Sequence, residues 1–247
     1  MTAAEEWKHG WTLVLACFVG FSFFSVPTAS AGVFMEPIGR EFGWGRTLLA
    51  AGTSMTSVVT ALLSPFVGLL IDRHGARRLG LPGVVLTAFA IGAISLANGS
   101  AVQWLGLWAF YALISILVKT TIWTTPVSAR FQAGRGLALA LTLSGTAAAQ
   151  AISPPLCNWL IEQVGWRQAY VWTGLGWGGV TLLLCWLFLF DARDRRQPGP
   201  AVAASADRPG LSIAQAWRSR ALWSIAVSTF VMMLLSLGLC RSIRCRS

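Results

Sequence analysis

Long apolar blocks constrain this chain more than any other feature. Seven stretches of roughly 19–25 mostly hydrophobic residues alternate with polar connections, and each could cross a hydrocarbon core about 30 Å thick. Backbone polar groups in lipid must be bonded within the protein, which restricts single crossing segments to helices. The sequence therefore predicts an all-α integral membrane protein. The predicted helices cover residues 11–33, 47–70, 79–97, 102–126, 137–160, 169–190 and 221–239.

The charge pattern supports this class. Only 11% of the 247 residues are charged, whereas soluble domains carry about 25%. The net charge of +10 comes from cations in short connections, which the positive-inside rule explains without a nucleic-acid partner. Arg40, Arg46 and Arg167 fall on the side with fewer cations. We therefore expect a multi-pass inner (plasma) membrane protein with a cytoplasmic N-terminus.

The chain divides into three predicted regions. Residues 1–190 form a six-helix bundle, and residues 191–220 are a polar, proline-rich cytoplasmic linker. Residues 221–247 hold a seventh helix and a basic tail whose arginines would lie on the outer side. Ala29–Ala31 resembles a signal-peptidase site, but the long apolar run around it favours an uncleaved first helix.

Two local features set the expected helix limits. The polar stretch 35–46 predicts a turn after the first helix. Pro154 and Pro155 predict a break in the fifth helix, because proline removes a backbone donor. Small residues on the fifth and sixth helices predict close helix packing. These residues are Gly145, Ala149, Gly174 and Gly178.

A spaced motif connects the second and third helices. Its members are Gly68, Asp72, Arg73, Gly75, Arg77 and Arg78. A glycine lets the chain reverse, and the cations place the loop on the cytoplasmic side. The motif resembles the loop between helices 2 and 3 of the major facilitator superfamily of transporters. Two further stretches, 42–46 and 130–138, resemble bacterial relatives of the monocarboxylate and oxalate/formate carriers. Ala140 and Ala149 depart from that pattern, which usually has glycine there.

The resemblance implies a fold and a conformational role. The fold is the N-terminal half of such a transporter, two inverted three-helix repeats, followed by one helix of the second half. Asp72 would pair with basic residues, with Arg130 approaching the same surface, and stabilise one transport state. The missing helices predict a truncated chain, although a half-molecule that dimerises is the alternative.

Lys119 is the charge placed inside a predicted span. Helical spacing puts two hydroxyl-bearing residues and a tryptophan on its face. The resemblance implies that helices 1 and 4 line a central cavity, so that helix 1 adds further hydroxyls. A lysine there, pointing into the bundle toward helix 1, suits an anionic substrate, and the alternative is a lysine that extends to the lipid interface. The predicted substrate-binding residues are Lys119, Tyr111, Ser115, Trp123, Ser25 and Thr28.

The remaining chemistry argues against an enzyme. No nucleophile–base pair, phosphate loop or metal-ligand spacing is present in the sequence, so we predict no catalytic residue, cofactor or metal site. Every acid falls in a loop or at a helix end, which leaves coupling to a proton unproven. The sequence predicts a secondary active transporter of small, monocarboxylate-like anions. A drug or cation exporter of the same fold and a non-transporting membrane remnant are the alternatives.

Overall fold

The computed structural model describes residues 3–74 and 76–188, together with residues 223–224, 227–228 and 231. Side chains are described for all of these except residues 3, 9, 65–74 and 76–77. The predicted linker and tail, and most of the predicted seventh helix, lie outside these residues. The boundaries of the three predicted regions therefore stay predictions.

The described chain is helical almost throughout. Its helices are α1 (Ala3–Phe42), α2 (Arg46–His74), α3 (Ala76–Ala93), α4 (Ala101–Ser115), α5 (Thr120–Arg130), α6 (Arg135–Leu143), α7 (Gly145–Val171) and α8 (Gly178–Phe188). Short 3-10 turns at Ile94–Leu96 and Ile116–Val118 and a π-helical turn at Trp172–Trp177 join some of them. The predicted all-α membrane fold is confirmed.

Five stretches of the described residues are long and apolar enough to cross a membrane. The last of them, Arg135–Phe188, has 54 residues and is interrupted at Gly165, whose φ of 79° and ψ of 162° are not helical. Cys157 Sγ lies 3.6 Å from Thr173 Oγ1, whereas a straight helix would separate these residues by roughly 24 Å. The chain therefore turns back at Gly165, and the five stretches form six packed segments.

The packing of these segments is reciprocal. The first segment, α1, packs mainly against α7 of the fifth, and the second, α2, packs mainly against α4 of the fourth. Such an exchange of neighbours is the pattern expected of two related three-helix repeats. Helix α1 also contacts α5, so that the first and fourth segments contribute side chains to the same core.

Small residues allow the helices to approach closely, as predicted. A Cβ added at Gly145 would lie 2.4 Å from the Phe18 carbonyl oxygen, and one at Gly174 would lie 2.7 Å from the Ala88 carbonyl oxygen. Real Cβ atoms essentially never lie within 3.0 Å of such an atom. Glycine is therefore required where α7 meets α1 and where the turn before α8 meets α3.

Two predicted helix limits are wrong. The polar stretch 35–46 is helical as far as Phe42, and its Glu36 and Arg40 pair along one helix face. The prolines at 154 and 155 lie inside α7, and the interruption falls at Gly165 instead. In both places the polar or proline residues are accommodated within a helix that packing holds together.

The motif loop forms the expected short connection between helices. Helix α2 ends at His74 and α3 begins at Ala76. Gly75 and the side chains of Gly68, Asp72, Arg73 and Arg77 are outside the described part of the chain. Arg78 and Arg130 are exposed. The predicted pairing of Asp72 with Arg130 therefore stays a prediction.

A carboxylate of α1 joins the turns at one end of the bundle. We call this the glycine-turn end, because its turns contain Gly43, Gly99 and Gly165, each with positive φ. Glu41 accepts hydrogen bonds from Trp166 Nε1 and, at 2.6 Å, from the Arg167 guanidinium. Arg167 also donates to the Ala97 carbonyl oxygen at 3.0 Å and lies 4.3 Å from the Trp166 ring centre. The connections α1–α2 and α3–α4 and the turn at Gly165 within α7 are thereby tied together.

A second carboxylate of α1 binds the opposite end, which we call the basic end after its exposed Arg78, Arg130 and Arg135. Glu6 accepts hydrogen bonds from the backbone N–H groups of residues 132, 133 and 134 at 3.0–3.3 Å. Trp7 packs on Phe131, with ring centres 5.2 Å apart. The start of α1 is thereby attached to the α5–α6 connection.

Candidate functional site

The fourth segment is interrupted close to the middle of its span. Helix α4 ends at Ser115, a 3-10 turn covers Ile116–Val118, and Lys119 has an extended backbone with φ −68° and ψ 167°. Helix α5 then begins at Thr120. The prediction of one continuous helix over 102–126 is therefore wrong at the residue that the sequence identified as the binding cation.

At this break a side chain, and not a proline, takes the place of a helical hydrogen bond. Pro126 lies farther along α5, where its ring affects the carbonyl of Ile122. At the break, Trp123 Nε1 donates to the Val118 carbonyl oxygen at 2.9 Å, and the Ile122 N–H bonds the Lys119 carbonyl oxygen instead. A side chain that enters the i→i−4 ladder in this way interrupts a helix.

The ammonium group of Lys119 points to the second segment. Its Nζ lies 3.2 Å from Ser64 Oγ and 3.4 Å from the Thr60 carbonyl oxygen, and the side chain is half-buried. The prediction that it faces the first segment is therefore wrong. Both partners are uncharged oxygen atoms, so the described contacts leave the lysine charge without a compensating anion.

The residues predicted to share the face of Lys119 do not surround it. Ser115 is buried and its hydroxyl donates to the Ala112 carbonyl oxygen at 3.0 Å. Tyr111 is buried edge-on against Trp108, with ring centres 5.7 Å apart. Trp123 is fully buried, and a Cβ on Gly20 would lie 2.2 Å from its ring. The break ends the helical register that the prediction assumed, and these side chains belong to the core.

The two predicted residues on α1 have different surroundings. Ser25 is buried and donates to the Phe21 carbonyl oxygen at 3.0 Å, with Thr146 Oγ1 of α7 at 3.3 Å. Its hydroxyl therefore helps to hold α1 against α7. Thr28 is exposed. The assignment of Ser25 to a binding site is not supported by its burial, and that of Thr28 stays a prediction.

Sequence reasoning missed a row of hydroxyl groups on α2. Thr53, Ser57, Thr60 and Ser64 are separated by four, three and four residues, which places them on one helical face. Ser57 and Ser64 are exposed, and only 11% of the apolar window in Arg46–Ser64 is buried. The spacing is visible in the sequence, but the resemblance implies a cavity lined by helices 1 and 4, and α2 is not one of them. The candidate site is therefore Lys119 together with Thr60 and Ser64.

The fold defines a class, a helical membrane protein. The chain belongs to the Major Facilitator Superfamily, whose family model matches residues 12–242. This family comprises membrane transporters and not enzymes. Membership in it makes the chain a multi-pass membrane protein, which agrees with the apolar helices.

Among curated proteins, the chain is similar to monocarboxylate transporter 14. The human protein is 27% identical over 183 residues, which cover 71% of this chain and 33% of the relative. The mouse protein is 28% identical over 166 residues, covering 64% and 31% respectively. The chain spans about a third of the length of the curated relatives that it matches.

Proposed function

We propose that this chain forms part of a secondary active transporter of small organic anions, and that the Lys119 ammonium binds the substrate carboxylate. The observation that carries the proposal is the placement of this charge. A lysine at the centre of a membrane helix costs about 2.5–3.5 kcal/mol on the insertion scale. The contacts to Ser64 Oγ and the Thr60 carbonyl oxygen compensate this cost in part. A bound carboxylate would supply the missing negative charge.

The break itself supports an anionic ligand. The first N–H groups of a helix lack intrahelical partners and carry the positive end of the helix dipole. Helix α5 begins directly after Lys119, without a side-chain cap at its first turn. Interrupted helices of this kind are used by secondary transporters to bind substrate charges at mid-membrane depth. The relatives' name, monocarboxylate transporter, agrees with a carboxylate as the anion.

Direct binding tests the proposal. We expect the purified full chain in lipid nanodiscs to bind radiolabelled propionate, and its neutral isostere propionamide to compete poorly. Lys119→Met should weaken propionate binding at least about tenfold, since a hydrogen bond to a charged group contributes roughly 1.5–3 kcal/mol. Lys119→Arg should keep part of the affinity, because the charge remains but its geometry changes.

Lys8 provides the matched control, because Lys8 and Lys119 are the only lysines of the sequence and Lys8 is exposed at the basic end. Lys8→Met should bind propionate within about twofold of the unmodified chain. Equal propionate affinity in the Lys119→Met and Lys8→Met variants would refute the site. Tighter binding of an organic cation than of propionate would favour the exporter alternative.

The orientation is also proposed, with the basic end in the cytoplasm of a plasma membrane. The support is the larger number of cations that the sequence places on that side, among which Arg78, Arg130 and Arg135 are exposed. A cysteine at position 100 should react with an impermeant thiol reagent in intact cells, and one at position 133 should react only after permeabilisation. The reverse pattern would overturn the orientation. The native Cys17, Cys157 and Cys185 are buried, and Cys240 and Cys245, which lie outside the described residues, are first replaced by serine.

A further inference from the structure

Trp123 lies at the junction between the break and the first segment. The side chain is fully buried, and its ring occupies the space beside Gly20 where any Cβ would lie 2.2–2.5 Å from the ring carbons. Its indole N–H donates to the Val118 carbonyl oxygen at 2.9 Å. Trp123 is thus held by α1 on one side and bonded to the residue before Lys119 on the other.

The indole N–H of Trp123 takes the place of a backbone N–H donor at the Val118 carbonyl. In a continuous helix the Val118 carbonyl would accept from the Ile122 N–H. Here the Ile122 N–H bonds the Lys119 carbonyl at 2.9 Å, which would leave the Val118 carbonyl unpaired in a buried, apolar setting. An unpaired buried carbonyl is strongly unfavourable, and the indole removes this penalty. The interrupted form of the segment is therefore stabilised by one side chain.

We propose that Trp123 is a positioning residue that keeps Lys119 in the extended conformation directed at Thr60 and Ser64. Gly20 is its partner, because only glycine leaves room for the indole on α1. This inference rests on the proposed function, because Trp123 matters for transport only if Lys119 binds the substrate. It assigns no contact between Trp123 and substrate.

The test compares two tryptophans of the same segment. Trp123→Phe removes the N–H that bonds Val118, whereas Trp108→Phe removes a buried N–H that has no partner within the described residues. The readout is the rate of reductive methylation of Lys119 relative to Lys8, measured by mass spectrometry without substrate. We expect Trp123→Phe to change this ratio about fivefold, the effect of one hydrogen bond, and Trp108→Phe to leave it within about twofold.

A second variant separates the hydrogen bond from packing. A benzothienylalanine at position 123 keeps the shape of the indole but replaces its N–H by sulfur, so that the fit against Gly20 is retained. It should change the methylation ratio as Trp123→Phe does, and it should weaken propionate binding about fivefold. An unchanged ratio in this variant would overturn the positioning role.

Failure of this inference and failure of the proposed function give different results. If Lys119→Met loses propionate binding but the position-123 variants keep the normal methylation ratio, the site stands and Trp123 does not position it. If the position-123 variants change the ratio but Lys119→Met binds propionate normally, Trp123 positions a lysine that does not bind the anion. In that case the positioning of Lys119 stands, and the carboxylate site is refuted.

Discussion

At the glycine-turn end Glu41 bonds the side chains of Trp166 and Arg167, whereas at the basic end Glu6 bonds backbone N–H groups of the α5–α6 connection. Both carboxylates belong to α1, so one helix is attached at its two ends by different chemistry. The first attachment is a charge pair that depends on which side chains are present. The second is formed with backbone N–H groups, and no cation takes part in its described hydrogen bonds.

This difference indicates different mechanical roles for the two ends. The Glu41 cluster ties three connections together through Arg167, which bonds both Glu41 and the Ala97 carbonyl oxygen. The Glu6 contact attaches one helix end to one loop. We therefore expect loss of Glu41 to affect the whole bundle, and loss of Glu6 to affect residues near the loop.

The largest effect is expected from Glu41→Ala. It removes charge-assisted hydrogen bonds worth about 1.5–3 kcal/mol, and since Glu41 is partly exposed we expect the lower limit, about 1.5 kcal/mol, in the free energy of unfolding. Glu36→Ala is the control, because Glu36 pairs with Arg40 in an exposed i,i+4 contact worth under about 0.5 kcal/mol. Unfolding in mixed micelles measures both, and equal losses would remove the distinction between them.

A local effect is expected from Glu6→Gln. The amide side chain offers one neutral acceptor where the carboxylate offers two charged ones, so the N–H groups of residues 132–134 should exchange with deuterium faster. Glu41→Gln should accelerate their exchange much less, because it removes no hydrogen bond from these groups. If Glu41→Gln accelerates exchange at 132–134 as strongly as Glu6→Gln does, the two ends are coupled and the comparison fails.

The smallest effect is expected from lowering the pH, which protonates the Glu6 carboxylate. The pKa of the Glu6 carboxyl lies below its ordinary value of 4.5, chiefly because the Gly134 N–H donates to it, with the N–H groups of Ala133 and Gln132 adding to the effect and desolvation opposing it. A lowered pKa means that the contact stabilises the folded chain above pH 4.5 and loses this contribution as the pH falls through the lower folded value.

Protection of amides 132–134, corrected for intrinsic exchange, should therefore hold from neutral pH to about pH 5 and decrease below 4.5. The Glu6→Gln variant supplies the baseline, because it has no carboxyl group to titrate there. A decrease of the same size in that variant would assign the effect to other acids.

The parts of this fold that were predictable from sequence depend on local composition. Apolar length predicted the membrane class, and small residues such as Gly145 and Gly174 predicted close packing that the structure confirms. The same local reasoning failed for residues 35–42, because an exposed Glu36–Arg40 pair lets a polar stretch stay helical.

The candidate site was predictable only in its central residue. A lysine in an apolar span is visible in any sequence, so Lys119 was predictable. Its direction was not, because the break depends on Trp123 meeting Gly20, a residue more than a hundred positions earlier. Helical spacing assigned Tyr111 and Ser115 to the site, and the break invalidates that spacing.

Reductive methylation of Lys119 in the presence of propionate tests the central claim most directly, with Lys8 in the same chain as the internal reference. If the ammonium binds a carboxylate, saturating propionate should slow methylation of Lys119 at least about tenfold while Lys8 reacts at its usual rate, and propionamide should protect neither lysine. Equal rates at Lys119 with propionate and with propionamide would contradict the account.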